Sequence, residues 1–219
     1  MIGFFGGSFD PVHFGHLKNA VSLKDTLNLS KLFLMPCAAP VHKNKLNFSN
    51  TQRLEMLRLA TQEFNELSLD LREINRDSDS YTIESLIDIK HEYPDTPICL
   101  IIGMDSFINL STWKDYQDFH QYVHLVVIAR PDYQTPNASY SFTPTQDASA
   151  LHDQTTGLLY FANTELLDIS SSDIHCILFN TALSGKIGAQ QSLSGLLPES
   201  IIHYLHNTYE IKRTTQSRY

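Results

Sequence analysis

The chain has 219 residues, of which 42% are hydrophobic and 18% charged, and it carries a formal net charge of −8. These values are typical of one globular domain with its own core, and they argue against a disordered chain or two full domains. The acidic balance also argues against binding to nucleic acid or an anionic membrane, because both partners require a basic surface.

Cysteine usage and hydropathy favour a soluble, cytoplasmic protein with a single domain over residues 1–219. Cys37, Cys99 and Cys176 show no metal-ligand spacing, and an odd number of cysteines fits a reducing compartment better than a set of disulfides. No apolar run approaches the roughly 18 residues of a membrane-spanning helix, and the chain starts with a structural strand instead of a signal peptide.

The first predicted strand, Ile2–Phe5, leads into a glycine turn at Gly6, Gly7 and Ser8 and then into a helix that begins near His13. Two adjacent glycines let a backbone approach an anion closely and adopt dihedral angles closed to other residues. The helix start behind them offers unpaired N–H groups and the positive end of the helix dipole. This segment therefore predicts a phosphate site.

The following segments alternate between strand and helix signals, as in α/β proteins. Further strands are predicted at Lys31–Met35, Leu67–Leu71, Ile98–Ile102, His124–Ala129 and Leu158–Ala162. Helices are predicted over His16–Leu27, from a capping box at Ser49–Gln52 to Phe64, over Tyr81–Tyr93, from Asp105–Ser106, after the turn at Asp168–His175, and over Pro198–Tyr209. In the second helix, Leu54, Leu57, Ala60 and Phe64 form the expected buried stripe.

Two segments lack a clear period. Residues 131–157 are rich in Pro, Ser, Thr, Gln and Asp and predict a long surface loop with one short helix. The polar, basic tail over residues 211–219 is expected to fray. The complete order of elements predicts a Rossmann-like, doubly wound and mainly parallel sheet with helices on both faces.

Doubly wound sheets bind ligands at the carboxyl ends of their strands, near the point where strand order reverses. Four polar or glycine-containing segments come directly after predicted strands: Gly6–Ser8, Pro36–Lys43, Gly103–Ser106 and Arg130. They are expected to meet at one edge of the sheet and to form a single site.

His13 and His16 are predicted to stand one turn apart on the same face of the first helix. Gly15 lies between them, and a glycine in a helix costs about 1 kcal/mol relative to alanine, so its presence needs a reason. The pair could also be half of a zinc site, but no third ligand with convincing spacing follows. We therefore interpret both imidazoles as phosphate ligands and predict no metal site built from protein side chains.

The motifs, in their order along the chain, resemble those of bacterial nicotinate-nucleotide adenylyltransferases. The string GGSFDPVHFGH resembles the nucleotidyltransferase signature that ends in (T/H)xGH. The later motifs are the Pro-Val-His-Lys loop, Arg53–Leu57 with Leu59–Ala60, Arg72–Glu73, Ser80–Tyr81–Thr82, IIGMDSFINLSTW, Arg130–Pro131 and ISSSDI. The resemblance implies an enzyme that joins the adenylyl group of ATP to nicotinate mononucleotide and gives deamido-NAD and pyrophosphate.

For ATP, the resemblance and the strand-end positions imply one set of contacts: Gly6, Gly7, Ser8, Phe9, His13, His16, His42, Lys43, Gly103, Asp105, Arg130, Ile169, Ser170, Ser171 and His175. Catalysis is expected from Ser8, His13, His16 and Lys43. The attacking substrate phosphate has a second pKa near 6, so it needs no protein base at pH 7. The family also implies a Mg²⁺ ion that bridges the phosphates. Asp10 is expected to brace the turn before Pro11, and Asp105 could equally be a helix cap.

For nicotinate mononucleotide, the resemblance implies Tyr81, Thr82, Ile83, Trp113 and Lys114. A helix that starts at the Ser-Tyr-Thr turn favours an anion, and therefore a nicotinate carboxylate over the neutral amide. Trp113 is expected to stack on the pyridine ring, although a lone tryptophan is also a common core anchor.

One position departs from the family pattern. The family string ISSTxIR ends in an arginine that contacts the triphosphate, and here ISSSDIH places His175 at that position. An imidazole is mostly neutral at pH 7 and cannot form the bidentate pair that arginine gives a phosphate. Three outcomes stay open: His175 acts in protonated form, Lys43 or Lys186 compensates, or turnover is weaker.

Other functions are also open at this point. The acceptor could be nicotinamide mononucleotide or phosphopantetheine, although the Ser-Tyr-Thr turn and the block with Trp113 argue against the latter. A non-catalytic nucleotide sensor would explain the missing arginine but not the retained His13, His16 and Lys43. The expected partners are small molecules, ATP and nicotinate mononucleotide, with no nucleic acid or membrane. The sequence leaves open whether the chain forms a homo-oligomer.

Overall fold

The computed structural model describes residues 1–38, 46–76, 80–129, 141–164, 169–184 and 193–216. Within these ranges, seven strands form one sheet: β1 Ile2–Gly7, β2 Lys31–Pro36, β3 Leu67–Leu69, β4 Ile98–Gly103, β5 His124–Ile128, β6 Thr143–Thr145 and β7 Leu158–Ala162. Their spatial order is β3-β2-β1-β4-β5-β7-β6, and all six pairings are parallel. The predicted α/β fold is confirmed.

The described helices are α1 Phe14–Thr26, α2 Asn50–Glu63, α3 Thr82–Glu92, α4 Met104–Ile108, α5 Ala150–Asp153, α6 Ser171–Ser184 and α7 Glu199–Gln216. Two 3₁₀ turns, at Leu110–Thr112 and Tyr116–Gln121, follow α4. Where the structure describes the chain, no helix is both long and apolar enough to cross a membrane.

The strands separate two hydrophobic cores, one on each face of the sheet. Phe5 and Ile101 belong to the core that α1, α2 and α7 cover. Their strand neighbours Phe4 and Ile102 belong to the other core, with residues of α3 and α4. Because successive side chains of a strand point to opposite faces, this division shows that helices cover both faces of the sheet, as predicted.

Strand order reverses around β1. From there the chain moves through β2 to β3 on one side and later through β4 to β7 on the other. This is the position at which an open α/β sheet has a crevice between the carboxyl ends of two neighbouring strands. The crevice lies between the ends of β1 and β4.

The predicted glycine turn is wrong in one respect, because Gly6 and Gly7 continue β1 and pair with Met35 and Pro36 of β2. Neither glycine has a left-handed backbone, whereas Phe9 does, with φ at 45°. Gly7 is instead required by space, since a Cβ there would lie 3.1 Å from the Phe9 ring. Strand pairing therefore decides the conformation of these glycines.

Three further boundaries differ from the prediction. β3 ends at Leu69, before the last leucine of the predicted strand. Residues 141–157 contain the short helix α5, as predicted, but also β6, which pairs in parallel with β7. Three residues that include a proline are too few to show a strand period, so only a loop was predicted there. Helix α7 continues to Gln216, where a frayed tail was expected from Ile211.

Helix α2 begins with the predicted capping box. Ser49 Oγ accepts a hydrogen bond from the amide of Gln52, and Gln52 Oε1 accepts one from the amide of Ser49. The buried face of α2 consists of Arg53, Met56, Leu57 and Ala60. Leu57 and Ala60 of the predicted stripe are confirmed, whereas Leu54 is only partly buried and Arg53 and Met56 are buried in addition.

Ser49→Ala is expected to lower the free energy of unfolding by about 1 kcal/mol, because the Gln52 amide loses its acceptor. Urea denaturation measures this loss. The control is Thr51→Ala, at an exposed position in the first turn of the same helix. An equal loss in the control would contradict the assignment of the effect to the cap.

Candidate active site

A cavity of about 410 Å³ opens at the carboxyl ends of β1, β2 and β4. Eight predicted site residues line it: Gly6, Gly7, Ser8, Tyr81, Thr82, Asp105, Trp113 and Lys114. It is large enough for a small-molecule ligand, and its walls combine apolar, hydroxyl and charged groups. The structure thus joins the end of β1 to the start of α3 and to the segment after β4 in a single site.

The two predicted histidines, at the N-cap and in the first turn of α1, are not among the residues that line this cavity. Their ring centroids are 3.8 Å apart, and His16 also lies edge-on to Phe9. Gly15 has a spatial reason, since a Cβ there would lie 2.9 Å from the imidazole of His13. The pairing of the rings thus depends on a glycine between them.

The start of α1 is less open to an anion than predicted. The amide of Phe14, the first residue of the helix, donates to the carbonyl of Leu196 at 2.9 Å. The segment before α7 therefore uses one of the N–H groups that the helix start was expected to offer. The imidazoles of His13 and His16 carry more of the proposed phosphate recognition as a result.

Arg53 is fully buried and joins the loops behind β1 and β2. Its Nη1 donates to the carbonyl of Ser8 at 2.6 Å, and its Nη2 donates to the carbonyls of Cys37 and Ala38, also at 2.6 Å. A fourth acceptor, Asn50 Oδ1, lies 2.8 Å from Nη2. Burial lowers the pKa of this guanidinium. Arg53 therefore places a buried positive charge directly below Ser8 and Cys37, which line the cavity.

Asp10 braces the turn after β1, as predicted. Its carboxylate accepts hydrogen bonds from the amides of Phe48 and Asn47, both at 2.9 Å. Burial by itself raises the pKa of Asp10, but the imidazole of His175 and these two amides together outweigh it and hold the pKa below its ordinary value. The ionised carboxylate thus fixes the chain that leads into α2.

His175 is part of this brace and does not line the cavity. Its Nε2–H donates to the carbonyl of Asp10 at 2.6 Å, and the same nitrogen lies 3.6 Å from the Asp10 carboxylate. The ring stacks on Phe48, with centroids 5.4 Å apart. Contact of this side chain with a triphosphate would require it to leave these partners, so the structure favours a positioning role.

The neighbours of His175 on the chain also make internal contacts. Ser170 Oγ accepts from the amide of Asp173, and Ser171 Oγ donates to the carbonyl of Pro11. Ile169 contributes its carbonyl beside Gly15. These residues hold α6 against the turn after β1, and none of the three lines the cavity.

The remaining predicted residues divide into two groups. Phe9 and Ile83 are buried side chains, and Gly103 stands at the junction of β4 and α4. His42, Lys43 and Arg130 lie outside the described residues. Lys186, named as a substitute for the missing arginine, lies outside them too.

The far wall of the cavity is the start of α3 together with Trp113 and Lys114. Tyr81 precedes the helix with an extended backbone and provides no side-chain cap. Lys114 Nζ lies 4.3 Å from the centroid of the Tyr81 ring and 3.3 Å from Glu84 Oε1. Trp113 meets Phe119 edge-on at 6.3 Å and also lines the cavity. It is thus both a core anchor and a site residue.

Five polar residues of the cavity wall were not predicted as site residues: Glu73, Ser80, Ser106, Asn109 and Thr112. Glu73 is 4% exposed. Burial raises the pKa of its carboxyl, against the opposing effects of the Ser85 and Thr82 hydroxyls and of Arg76. All five residues belong to quoted motifs, but a motif carries no signal for burial. Across the described ranges, no group of three or more His, Cys, Asp or Glu side chains could hold a metal ion.

Comparisons with known proteins agree with this geometry. Residues 4–177 match the cytidylyltransferase-like family model. A protein of Vesicomyosocius okutanii subsp. Calyptogena okutanii is 55% identical over 206 residues, which cover 94% of each chain. One of Psychromonas ingrahamii is 38% identical over 216 residues, covering 96% of this chain and 97% of that relative. Both carry the name "Probable nicotinate-nucleotide adenylyltransferase".

A solved structure shares the fold. Nicotinic acid mononucleotide adenylyltransferase of Plasmodium falciparum, complexed with NaAD, has a TM-score of 0.68 at 16% identity. The alignment covers 94% of this chain and 95% of that one. At this identity, the comparison concerns the architecture alone.

Arg53→Lys is expected to lower the free energy of unfolding by about 2–3 kcal/mol. One ammonium group cannot reach the separate carbonyls that the guanidinium fork satisfies, so buried acceptors lose their donors. Urea denaturation tests this against Arg58→Lys, an exposed position on the same helix, for which a change within about 0.5 kcal/mol is expected. Equal stability of the two variants would refute the bracing role.

Asp10→Asn is expected to lower the free energy of unfolding by about 2 kcal/mol at pH 7. Because the folded-state pKa of Asp10 is lowered, the ionised group stabilises the fold above its unfolded pKa of about 4. That contribution is lost as the pH falls through the folded pKa, so the difference between variant and wild type shrinks below about pH 4. Urea titrations at several pH values measure it, with Asp95→Asn, an exposed turn position, as control. A difference that persists at pH 3 would contradict this account.

Proposed function

The chain belongs to the cytidylyltransferase-like family and, within it, to the nicotinate-nucleotide adenylyltransferases, and we propose that it transfers the adenylyl group of ATP to nicotinate mononucleotide. The products are deamido-NAD and pyrophosphate, so the enzyme acts in NAD biosynthesis. We further propose that it acts in the cytoplasm. The observation that carries the proposal is the single cavity, which unites the Gly6–Ser8 segment with the start of α3.

In the proposed reaction, a phosphate oxygen of nicotinate mononucleotide attacks the α-phosphorus of ATP. A new phosphorus–oxygen bond forms, and the bond between the α-phosphorus and the bridging oxygen breaks, with its electron pair leaving on pyrophosphate. The attacking phosphate is largely ionised at pH 7. The protein therefore needs no general base, and its contribution is positioning and stabilisation of negative charge.

We assign the phosphates to the β1–α1 side of the site. The strand end at Gly6 and Gly7 lets a phosphate approach the backbone, and Ser8 adds a hydroxyl donor. His13 and His16 are proposed to donate to phosphate oxygens, and the buried guanidinium of Arg53 binds the Ser8 carbonyl. His42 and Lys43 complete the proposed set, although they lie outside the described residues. Asp105 and Gly103 are assigned to the adenosine side.

Mg²⁺ fits this arrangement as an ion that arrives with ATP. The described residues offer no carboxylate cluster for it, and a hard cation of this kind is commonly held by substrate phosphates and water with one or two carboxylates. When bound, it would neutralise charge on the phosphates. We propose that phosphate oxygens and water would supply most of its ligands, while Asp105 of the cavity wall stays assigned to the adenosine side.

The pyridine ring is assigned to the opposite wall. Trp113 offers a face for stacking, and the positive end of the α3 dipole favours a carboxylate at Thr82 and Ile83. The basic side chain of this wall, Lys114, already pairs with Glu84, so it adds little net charge. Preference for nicotinate is thus expected to depend on the helix start more than on a free lysine.

The proposal is tested by pyrophosphate release with ATP and Mg²⁺ and three separate acceptors: nicotinate mononucleotide, nicotinamide mononucleotide and phosphopantetheine. Turnover largely confined to the nicotinate substrate supports the proposal and shows that His175 suffices in place of arginine. Turnover with phosphopantetheine would refute the substrate assignment. ATP binding without turnover on any acceptor would favour a nucleotide sensor.

His16→Ala is expected to lower kcat with nicotinate mononucleotide about 10²–10³-fold, because one donor to the developing phosphate charge is removed. Initial rates of pyrophosphate release measure the change. His203→Ala, at an exposed position on α7, is the control and is expected to retain full activity. A kcat within about threefold of wild type for His16→Ala would remove this residue from the mechanism.

A further inference from the structure

Two buried polar atoms in the segment between β3 and α3 have no hydrogen-bond partner in the described structure. They are Glu73 Oε1 and Ser80 Oγ, and both side chains line the cavity. Glu73 is 96% shielded from solvent, since its exposed fraction is 4%. A polar atom buried without a partner costs free energy, so a folded protein keeps one where something else supplies the bond. Here the adjoining cavity can hold a ligand that does so.

The charge state of Glu73 follows from its surroundings. Burial raises the pKa of this carboxyl, and the nearby carboxylate of Asp70 acts in the same direction. The hydroxyls of Ser85 and Thr82 and the guanidinium of Arg76 oppose the shift without cancelling it. Glu73 therefore retains its proton at higher pH than an exposed glutamate.

Other charged groups around the start of α3 are already paired. Arg76 binds Glu84 at 3.2 Å and Asp88 at 3.1 Å, which reduces the charge it presents to Glu73. From the opposite wall, Lys114 binds Glu84 at 3.3 Å. The other groups of the described cavity wall that can become anionic are Asp105 on the β4 side, the Cys37 thiol and the Tyr81 phenol.

We propose that Glu73 is a specificity residue that, as a neutral acid, donates a hydrogen bond from its carboxyl to the carboxylate of the nicotinate ring. This inference rests on the proposed function, and it adds to that function the side chain that recognises the nicotinate carboxylate. The ring carboxylate would then meet two kinds of donor, the first N–H groups of α3 and the acid proton of Glu73. Ser80 Oγ lies in the same wall and is available to the same ligand group.

The acid form explains discrimination between the two pyridine nucleotides. A neutral Glu73 donates to a carboxylate, while an ionised Glu73 repels it and accepts from the NH₂ of a carboxamide. Raising the pH ionises Glu73, so affinity for nicotinate mononucleotide falls while affinity for nicotinamide mononucleotide does not. Preference for nicotinate is therefore expected to decline with pH.

The dissociation constants of both nucleotides are measured by quenching of Trp113 fluorescence between pH 5 and 9. Trp113 is the only tryptophan of the chain and lines the cavity, so the signal needs no turnover. Both nucleotides carry the same phosphate, so the ratio of their dissociation constants cancels its titration. In the wild type, the ratio of the nicotinate value to the nicotinamide value is expected to rise with pH, about tenfold per unit once Glu73 ionises. A ratio that stays flat across this range overturns the inference.

Glu73→Gln supplies the matched variant, because its amide donates a hydrogen bond but cannot ionise. Its ratio is expected to stay near the low-pH value of the wild type at every pH, since this side chain cannot change its charge. Glu66→Gln, at an exposed position, is the control and should follow the wild-type curve. Tighter binding of nicotinate mononucleotide by Glu73→Gln at all pH values would show that Glu73 is ionised and overturn the inference.

The proposed function and the role of Glu73 are tested by different measurements, so each can be rejected without the other. Pyrophosphate release with nicotinate mononucleotide at pH 7 tests the function alone, and a flat binding ratio in an active enzyme rejects only the role of Glu73. Absence of both turnover and binding would reject both. If Glu73→Gln does not fold, as judged by far-UV circular dichroism, the pH profile of the wild type still decides.

Discussion

The site depends on one buried cation. Arg53 enters the core on the apolar face of α2, and its guanidinium satisfies the carbonyls of Ser8, Cys37 and Ala38. These carbonyls belong to segments that leave two neighbouring strands, and the guanidinium adds to the β1–β2 pairing that already joins them. A guanidinium suits this task because several N–H groups in one rigid plane reach several acceptors at once. The ends of β1 and β2 are thereby fixed relative to α2, and α2 is itself fixed by its capping box.

A second brace acts on the same turn from the other side. The Asp10 carboxylate holds the amides of Asn47 and Phe48, and His175 holds the Asp10 carbonyl. Helix α6, far along the chain, is thus connected to the segment after β1. His175, which stands where the family pattern has an arginine, therefore stabilises the turn after β1 through its contact with Asp10. This connection reduces the need to assign that imidazole to phosphate binding.

The sequence predicted the parallel sheet because β1, β2, β4, β5 and β7 are apolar runs separated by helices with clear caps or stripes. β6 escaped prediction because Thr143–Thr145 has neither a period nor an apolar run, and only its pairing with β7 makes it a strand. The burial of Arg53 could have been predicted from its spacing, since it stands three and four residues before Met56 and Leu57 and so shares their helix face. A stripe composed of apolar residues alone began at Leu54 instead. Local pattern cannot report which charged side chain the fold will bury.

A net charge of −8 does not contradict the proposed binding of two anionic ligands, ATP and nicotinate mononucleotide, because a total charge does not show where the charges lie. Composition reports the surface, and there the cations beside the cavity are neutralised: Arg72 by Asp70 and Glu92, and Arg76 by Glu84 and Asp88. In the proposed function, the positive potential for these ligands would come from groups that a charge count does not register or does not locate: a helix start, imidazole donors and the buried Arg53. A potential confined to a cavity in this way favours small anions that can enter it over extended ones such as nucleic acid. Selection of a small acidic substrate is therefore a property of enclosure, not of net charge.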